Sequence, residues 1–435
     1  MTTSEQWAAA ARVVRSAGFG GSGELVDAVA RQGVASWVAA GLATGTADPG
    51  ATATPPPKLS RVEPPGKNPS QDAKDRYREQ LREQRLSLTG WWLRRMVAVH
   101  HPLTEKLTFG WHNHFATSTN KVRQASLMLA QNEKLRAGGR GSFTALATAL
   151  LTDPAMLIWL DGRQNTAKAP NENLAREFIE LFALGHGNGY TENDVKEGAR
   201  SLTGWTVDQQ GRARLVPKRQ DRGTKTVLGV TGPLDAARFA EAVLARPQSA
   251  SYVATRWWRL LVDPAAPTGD ALAALVSAYG TERDLSALFT AMLTSPAHVQ
   301  HAGTLVLGPV EWVVGAVRAL KVPLDDATTK RLLGALRTLG QVPFAPPNVS
   351  GWPSGQAWLS TSAAVLRAQV ADQLARAGHL DAVAAVAQGS RVDATAHLLG
   401  IPRFSDRTAT HLRTYVGDPR RLVAAALVSP ENLVN

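Results

Sequence analysis

Apolar residues recur at three- and four-residue spacing along most of this 435-residue chain. This spacing restricts the fold more than any other feature, because it places apolar side chains on one face of an α-helix. It predicts helices at 24–43, 102–115, 172–184 and 192–203, among others. A chain of this length buries a sizeable core without a covalent staple. The sequence therefore predicts a mainly α fold built as a large multi-helix domain.

Three segments interrupt the helical pattern. Prolines and small residues in 44–71 exclude helix or central strand there. Residues 206–232 alternate and carry glycine at turns, which predicts one small β-hairpin, and 341–358 combines prolines with two tryptophans, which predicts an ordered loop. The predicted organisation is an N-terminal helical segment (1–44), a Pro-rich linker or wrapping arm (45–72), a helical core with the candidate site (73–205), a β-hairpin insertion (206–232) and a C-terminal helical region (233–435) packed with 73–205 as one domain.

The chain has no cysteine. This excludes disulfides, zinc ribbons, iron–sulfur clusters and thiol nucleophiles, so any metal would be held by nitrogen and oxygen ligands. The sequence also lacks Gly-x-Ser-x-Gly, His-Glu-x-x-His and a dinucleotide fingerprint. Their absence argues against the commonest hydrolases, metalloproteases and dehydrogenases.

The net charge is +12, from 48 Lys+Arg against 36 Asp+Glu. The basic residues are spread along the chain, and the densest stretches are Lys58–Arg95, where acids interleave, and Arg212–Lys225. No reading motif accompanies them, which disfavours nucleic acid as a partner. The charge instead favours a solvated arginine-rich surface or an anionic substrate.

The sequence predicts a cytoplasmic protein without a membrane span. No segment reaches the ~18 apolar residues that a transmembrane helix needs. Near the N-terminus, Arg12 and Arg15 interrupt the alanine run, so that stretch does not resemble a secretory signal.

The first candidate site segment is 100–118, which holds four of the ten histidines. On a helix, Glu105 and His112 are seven residues apart and share a face, whereas His114 lies about 200° around from His112. Both imidazoles can therefore meet one ion only if the helix ends or loosens near Gly110. The alternative is a packed helix end whose histidines cap carbonyls and stack on aromatic rings.

The second candidate segment is 169–195, where Glu177 and Glu180 lie one turn apart beside an apolar stripe. Two such carboxylates could ligate a metal or serve as acid and base. The alternative is that they only pair with Arg176, as a Glu–Arg pair on a helix commonly does.

Inward Glu and His on facing helices are how helical bundles build metal sites. The sequence thus predicts a metal-dependent enzyme, with an oxidoreductase favoured. His112, His114 and Glu177 are the predicted ligands, Glu105 and Glu180 are further ligands or proton carriers, and Arg176 positions an anionic group. The expected cofactor is a transition metal, iron, copper, manganese or zinc, and haem on a single axial histidine is a variant.

The alternative function is a non-catalytic binding or accessory protein that acts with a partner protein or an anionic ligand. The positive charge, the 12 tryptophans and the Trp-containing loop at 341–358 support it, since Trp and Arg concentrate at binding hot spots. Packing of those tryptophans in the core is the competing explanation.

Three blocks carry a resemblance to one family: WHNHFATS at 111–118, PNENLAREFIELFALGHGNGYTENDVKEGARSLTGW at 170–205 and PPNVSGWPSGQAWLSTS at 346–362. They resemble the bacterial family catalogued as domain of unknown function 1800. The resemblance implies a large, mainly helical bacterial protein, often exported and often encoded beside a protein partner, and it brings no assigned reaction. The chain departs from many relatives in lacking an export leader and in carrying Gln220 where they have His, so Gln220 is left out of the predicted site.

Overall fold

The computed structural model describes residues 3–435. The fold is mainly α, as predicted. The first half of the chain forms α1 (Thr3–Ala17), α2 (Gly23–Gln32), α3 (Val34–Leu42), α4 (Pro49–Ala53), α5 (Gln71–Ala98), α6 (Leu103–His114), α7 (Ala125–Gly138), α8 (Phe143–Leu151), α9 (Pro154–Trp159), α10 (Asn173–Glu177) and α11 (Glu192–Ser201). The second half forms α12 (Ala236–Leu244), α13 (Pro247–Leu261), α14 (Gly269–Tyr279), α15 (Leu285–Leu293), α16 (Pro296–Gln300), α17 (Pro309–Ala319), α18 (Asp326–Thr338), α19 (Thr361–Ala377), α20 (Asp381–Ala384), α21 (Arg391–Leu398), α22 (Asp406–Arg413), α23 (Pro419–Leu427) and α24 (Pro430–Leu433).

Two predictions about helices were wrong in detail. The single helix expected at 24–43 is α2 and α3, which are separated at Gly33 with φ 89°. The proline-rich segment also contains α4, although no helix was expected there. Asp48 caps this short helix by accepting from the Ala51 N–H at 3.0 Å, and Pro49 occupies its first turn, where a missing N–H costs nothing.

The β-structure also differs from the single hairpin expected at 206–232. There are two antiparallel hairpins, β1 (Trp205–Val207) with β2 (Ala213–Leu215), and β3 (Lys225–Val227) with β4 (Val230–Gly232). A 3-10 turn at Pro217–Arg219 separates them. Proline has no N–H to donate to a ladder, so the pairing ends there.

The buried residues form two large clusters, and α6 lies between them. Leu103, Leu107 and Trp111 belong to one cluster, which also involves α1, α8, α13 and α15, whereas Phe109 belongs to the other, which involves α5, α17 and α19. Ten of the twelve residues of α6 are buried. The buried polar side chains of this helix are therefore expected to find partners inside the protein.

Helix α5 is buried in its second half only. All seven buried residues of this helix, Trp91 and Trp92 among them, lie in 88–96, whereas 71–87 are exposed or half-buried. The proline-rich segment runs beside this exposed half, and the Gln84 side chain donates to the Ser60 carbonyl at 2.9 Å. A charged helix face and an ordered arm thus lie next to each other at the surface.

Within residues 3–435, no helix combines the length and the apolarity that crossing a bilayer requires.

Candidate functional site

Glu105 is the centre of a buried charge network. It is 1% exposed, and its carboxylate accepts from Arg136 Nε and Nη2 at 2.7 and 2.8 Å, from Arg95 Nε at 2.8 Å and from Trp92 Nε1 at 2.8 Å. Burial alone would raise the pKa of this carboxyl, but the charges and hydrogen bonds of Arg136 and Arg95 lower it to about 2. All four contacts are to donors within the fold, so Glu105 holds α5, α6 and α7 together.

His112 lies in a box of aromatic rings. The ring centroids of Trp92, Phe344 and Trp352 are 5.7, 5.4 and 5.5 Å from its own. Its Nε2 has no hydrogen-bond partner among the described residues, and neither has Trp352 Nε1. Burial lowers the pKa of His112 to about 3, so the imidazole is neutral.

His114 points elsewhere, because α6 stays helical through Gly110 to its end at His114. Its Nε2 is 2.9 Å from the Phe182 carbonyl. Burial and the nearby Arg256 charge lower the pKa of His114 to about 3. The two imidazoles thus serve two different contacts, as the packed-helix-end alternative predicts.

The acceptor of that contact belongs to a π-helix. Residues Phe178–Ala183 continue directly from α10 in this wider conformation. The last carbonyls of a helix have no intrahelical partner, and here two side chains bind them: Tyr252 donates to the Leu181 carbonyl at 2.7 Å, and His114 contacts that of Phe182. Packing against α6 and α13 therefore completes this irregular turn.

Asn113 joins α6 to the loop at 341–358. Its Oδ1 accepts from the Trp352 N–H at 2.7 Å. Gly351 precedes that contact with φ 89°, and a Cβ there would overlap Asn113. The three sequence blocks at 111–118, 170–205 and 346–362 thus meet at the end of α6.

The charged side chains of the second predicted segment are at least partly exposed, and most of them pair with one another. Arg176 pairs with Glu172 at 2.9 Å, with Glu192 at 2.7 Å and, more loosely, with Glu180 at 3.4 Å. Glu177 is half-buried, and burial together with the Glu180 charge raises its pKa. The Glu–Arg alternative thus describes Glu180 only in part, since this carboxylate also lies 3.2 Å from His186 Nδ1. Glu177 forms no ion pair within residues 3–435.

The predicted metal ligands do not fit a metal centre in this arrangement. Among residues 3–435, no three or more His, Asp or Glu side chains are grouped so that they could hold an ion. The Nε2 of His112 is enclosed by rings, that of His114 is bound to a carbonyl, and Glu177 lies beside Glu180 on another element. The metal site stays a prediction from the sequence.

A basic cleft lies along the exposed half of α5. We define it as two adjoining hollows that share Arg82, Arg85, Thr119 and Asn120. The arm lobe, of about 590 Å³, is lined by Pro65, Pro69, Lys74, Tyr77, Arg78, Leu81, Arg82, Arg85, Thr119, Asn120 and Arg123. The α18 lobe, of about 1020 Å³, extends between α5, α18 and the loop at 342–347.

Cations dominate the lining of the basic cleft. They are Lys74, Arg78, Arg82, Arg85, Arg94, Arg123, Lys330 and Arg337, against one acid, Asp326. Within residues 3–435, ion pairs are formed by Arg78, Arg82 and Arg94, but the five others form none. Like charges gathered without counter-charges repel one another and raise the local concentration of anions.

Phe344 connects the cleft to the aromatic box. Its neighbours Pro343 and Ala345 line the α18 lobe, while its ring packs on Trp92 and His112 with centroids 4.7 and 5.4 Å away. Its φ is 67°, which is strained for a bulky side chain. The wall of the cleft and the aromatic box at His112 are therefore joined through one residue in a strained backbone conformation.

Sequence reasoning missed most of the cleft. The charged first half of α5 is visible in the sequence, but Lys330 and Arg337 come from a helix far along the chain. The partners of Glu105 were missed for the same reason, since nothing local indicates that Arg136 on α7 would face it. In both cases tertiary packing brings the residues together.

The structure defines a mainly helical protein with a buried polar helix and an open basic cleft. The chain belongs to the family described as protein of unknown function (DUF1800), whose sequence profile matches residues 12–434. The family resemblance stated from the three sequence blocks is thereby confirmed. No curated protein and no solved structure matches the chain.

Proposed function

We propose that this protein is a non-catalytic binding protein that holds a multiply charged anion in the basic cleft. The observation that supports the proposal most is the lining of eight cations and one acid over two adjoining hollows. It develops the anionic-ligand alternative raised from the sequence.

The cations are placed to act on one ligand. Arg85 lines both lobes, Arg123 lies in the arm lobe and Arg337 in the α18 lobe. Each is exposed and forms no ion pair within residues 3–435. Arginine binds phosphate and carboxylate groups through paired N–H donors, so an anion can engage these side chains without first breaking salt bridges.

Neutral donors lie among the cations. The hydroxyls of Ser87 and Thr119 and the amide of Asn120 line the α18 lobe. Such groups donate to anionic oxygens but carry no charge, so they add hydrogen bonds without adding repulsion. The mixture favours a phosphate- or carboxylate-bearing ligand over an apolar one.

The test is calorimetric titration of the full chain with inorganic tripolyphosphate at low salt. The variant Arg85→Gln/Arg123→Gln should bind about tenfold or more weakly, because each lost cation removes a charge-assisted contact. Arg403→Gln/Arg407→Gln changes the net charge equally at two exposed arginines outside the cleft and should bind as the unmodified protein does. An equal loss of tripolyphosphate affinity in both variants would mean that net charge, and not the cleft, determines binding. If the unmodified protein does not bind tripolyphosphate, the proposal is rejected.

The metal-dependent oxidoreductase predicted from the sequence is a separate hypothesis with its own test. Purified protein would be titrated with Fe(II), Mn(II), Cu(II) and Zn(II), alongside His112→Ala and Glu177→Ala. Micromolar binding of one metal that both variants lose would support it. If no metal binds, or if the variants bind as well as the unmodified protein, the hypothesis fails.

A further inference from the structure

We infer that the ligand of the basic cleft is an extended phosphate chain of the linear polyphosphate kind, laid along α5 and continued onto α18. This inference rests on the proposed anion-binding function and specifies the shape and chemical class of the ligand. It depends on how the cations are spaced, on the size of the cleft and on what else lines it.

The cations of α5 form a row. Lys74, Arg78, Arg82 and Arg85 follow one another at intervals of four, four and three residues. At 100° per residue these positions fall on one face of the helix, and at a rise of 1.5 Å per residue the row is about 16 Å long. A row of charges along a helix matches a ligand whose charges repeat along its length.

A second row continues the first. Lys330 and Arg337 on α18 are seven residues apart, which places them two turns apart on the same face. Both line the α18 lobe, which also contains Arg82 and Arg85 from α5. The two rows therefore border one continuous hollow. A phosphate chain that extends past Arg85 out of the arm lobe reaches the cations of α18.

The size of the cleft agrees with an extended ligand. The α18 lobe, of about 1020 Å³, alone reaches the upper end of the range for compact, drug-sized ligands, about 300 to 1,000 Å³, and the arm lobe of about 590 Å³ adjoins it. A single phosphate or pyrophosphate would occupy a small part of either lobe and leave most of the cations without a counter-charge.

The arm lobe has an ordered outer wall. Pro65 and Pro69 line it, and the arm that carries them is fixed to Gln124, whose side chain exchanges two hydrogen bonds with the Val62 backbone at 3.0 and 2.8 Å. Because this wall is already in place, binding needs little ordering of the protein.

The lining favours phosphate over nucleic acid. Proteins that bind single-stranded nucleic acid stack successive bases on aromatic side chains. Tyr77 in the arm lobe is the one aromatic ring among the residues lining the two lobes. Cations and hydroxyls without a series of rings suit a chain that is charged at every unit and has no bases.

The experiment compares ligands by isothermal titration calorimetry with the full chain: pyrophosphate, tripolyphosphate, linear hexaphosphate, inositol hexakisphosphate and a single-stranded oligonucleotide with six phosphates. Affinity should rise with the length of the linear chains, and the dependence of log K on log salt should steepen with each added contact. Linear hexaphosphate should bind at least tenfold more tightly than the compact inositol compound with the same number of phosphates.

A variant separates the two lobes. Lys330→Gln/Arg337→Gln alters two exposed residues of the α18 lobe only. It should reduce the affinity for linear hexaphosphate about tenfold and leave tripolyphosphate binding within about twofold. Thermal unfolding of the variant should match that of the unmodified protein, which confirms that it is folded.

Each outcome bears on the inference. Equal affinity for linear and compact hexaphosphates would overturn the extended chain while leaving the proposed anion binding in place. Tighter binding of the oligonucleotide than of linear hexaphosphate would overturn polyphosphate in favour of nucleic acid. Failure of every ligand to bind would reject the inference and the proposed function together.

Discussion

The interior around α6 and the basic cleft are both rich in charged and polar residues. The charges of the interior are paired within the fold, whereas most cations of the cleft form no ion pair within residues 3–435. Glu105 is 1% exposed and accepts hydrogen bonds from Arg95, Arg136 and Trp92. In the cleft, Arg85 and four other cations have no ion-pair partner within residues 3–435. A charge with complete partners inside the fold stabilises that fold, whereas charges gathered without partners at the surface are available to a ligand.

The largest loss of unfolding free energy is expected from Glu105→Gln. The change removes the buried carboxylate that Arg95 and Arg136 share and leaves Arg136 only the partly exposed Glu133, 2.6 Å away. Breaking a buried ion pair in this way costs about 3–5 kcal/mol. The measurement is the free energy of unfolding in denaturant. Glu79→Gln is the matched control, because Glu79 pairs with Arg82 at the surface, where water screens the pair and its loss should change the unfolding free energy little. Similar losses in the two variants would contradict the distinction between the regions.

A second prediction concerns the contact of Asn113 with the loop. Gly351→Ala should cost about 2–4 kcal/mol in unfolding free energy, because it strains a residue at φ 89° and forces a Cβ against Asn113. Gly355→Ala is the control in the same loop: φ is 64° and nothing lies within 4 Å of the added Cβ, so only about 1 kcal/mol of backbone strain is expected. Equal losses of unfolding free energy in the two variants would show that the close approach of Gly351 to Asn113 does not contribute to stability.

A third prediction concerns the protonation of His298, which is buried. Burial, together with the Arg12 charge, lowers its pKa to about 3, and its Nε2 lies 2.8 Å from Ser16 Oγ. An unfolded histidine has a pKa near 6.5, so the unfolded state takes up a proton first and stability falls as the pH drops from about 6.5 towards 3. Between pH 7 and 5.5 this histidine should account for a loss of about 1.2 kcal/mol.

That loss can be isolated with His298→Gln, which retains a hydrogen-bonding side chain and cannot take up the proton. The difference in unfolding free energy between pH 7 and 5.5 should be about 1.2 kcal/mol smaller in the variant than in the unmodified protein. The same pH dependence in both proteins would mean that His298 is protonated in the folded state.

The smallest effect on stability is expected in the cleft. Arg85→Gln/Arg123→Gln should change the unfolding free energy by no more than about 0.5 kcal/mol, as is usual at exposed positions. Any change should be stabilising and should diminish with added salt, because the substitution relieves repulsion that salt screens. A loss of 2 kcal/mol or more, on the order of a core substitution, would mean that these arginines hold the fold.

Many of the helices were predictable because the local spacing of apolar residues indicates them. The helix expected at 102–115 is α6, Leu103–His114, and that expected at 192–203 is α11, Glu192–Ser201. The π-helix at Phe178–Ala183 was not predictable, since its final carbonyls are bound by Tyr252 and His114 from other parts of the chain.

The candidate site also has features that helical geometry predicts and features that only tertiary packing determines. Helical geometry correctly indicated that His112 and His114 would point apart unless α6 loosened near Gly110, and α6 does not loosen there. The spacing could not reveal which groups each imidazole meets, because Phe344, Trp352 and the Phe182 carbonyl arrive through tertiary packing. For the same reason the +12 charge of the sequence could not locate the cleft.

Anion binding in the basic cleft is tested most directly by a crystal structure of the full chain with tripolyphosphate. Phosphate oxygens should lie about 2.7–2.9 Å from the guanidinium groups of Arg85 and Arg123, with the side chains around Glu105 unchanged. Ordered tripolyphosphate at the other basic stretch, Arg212–Lys225, with the cleft left empty, would contradict the proposed binding in the cleft.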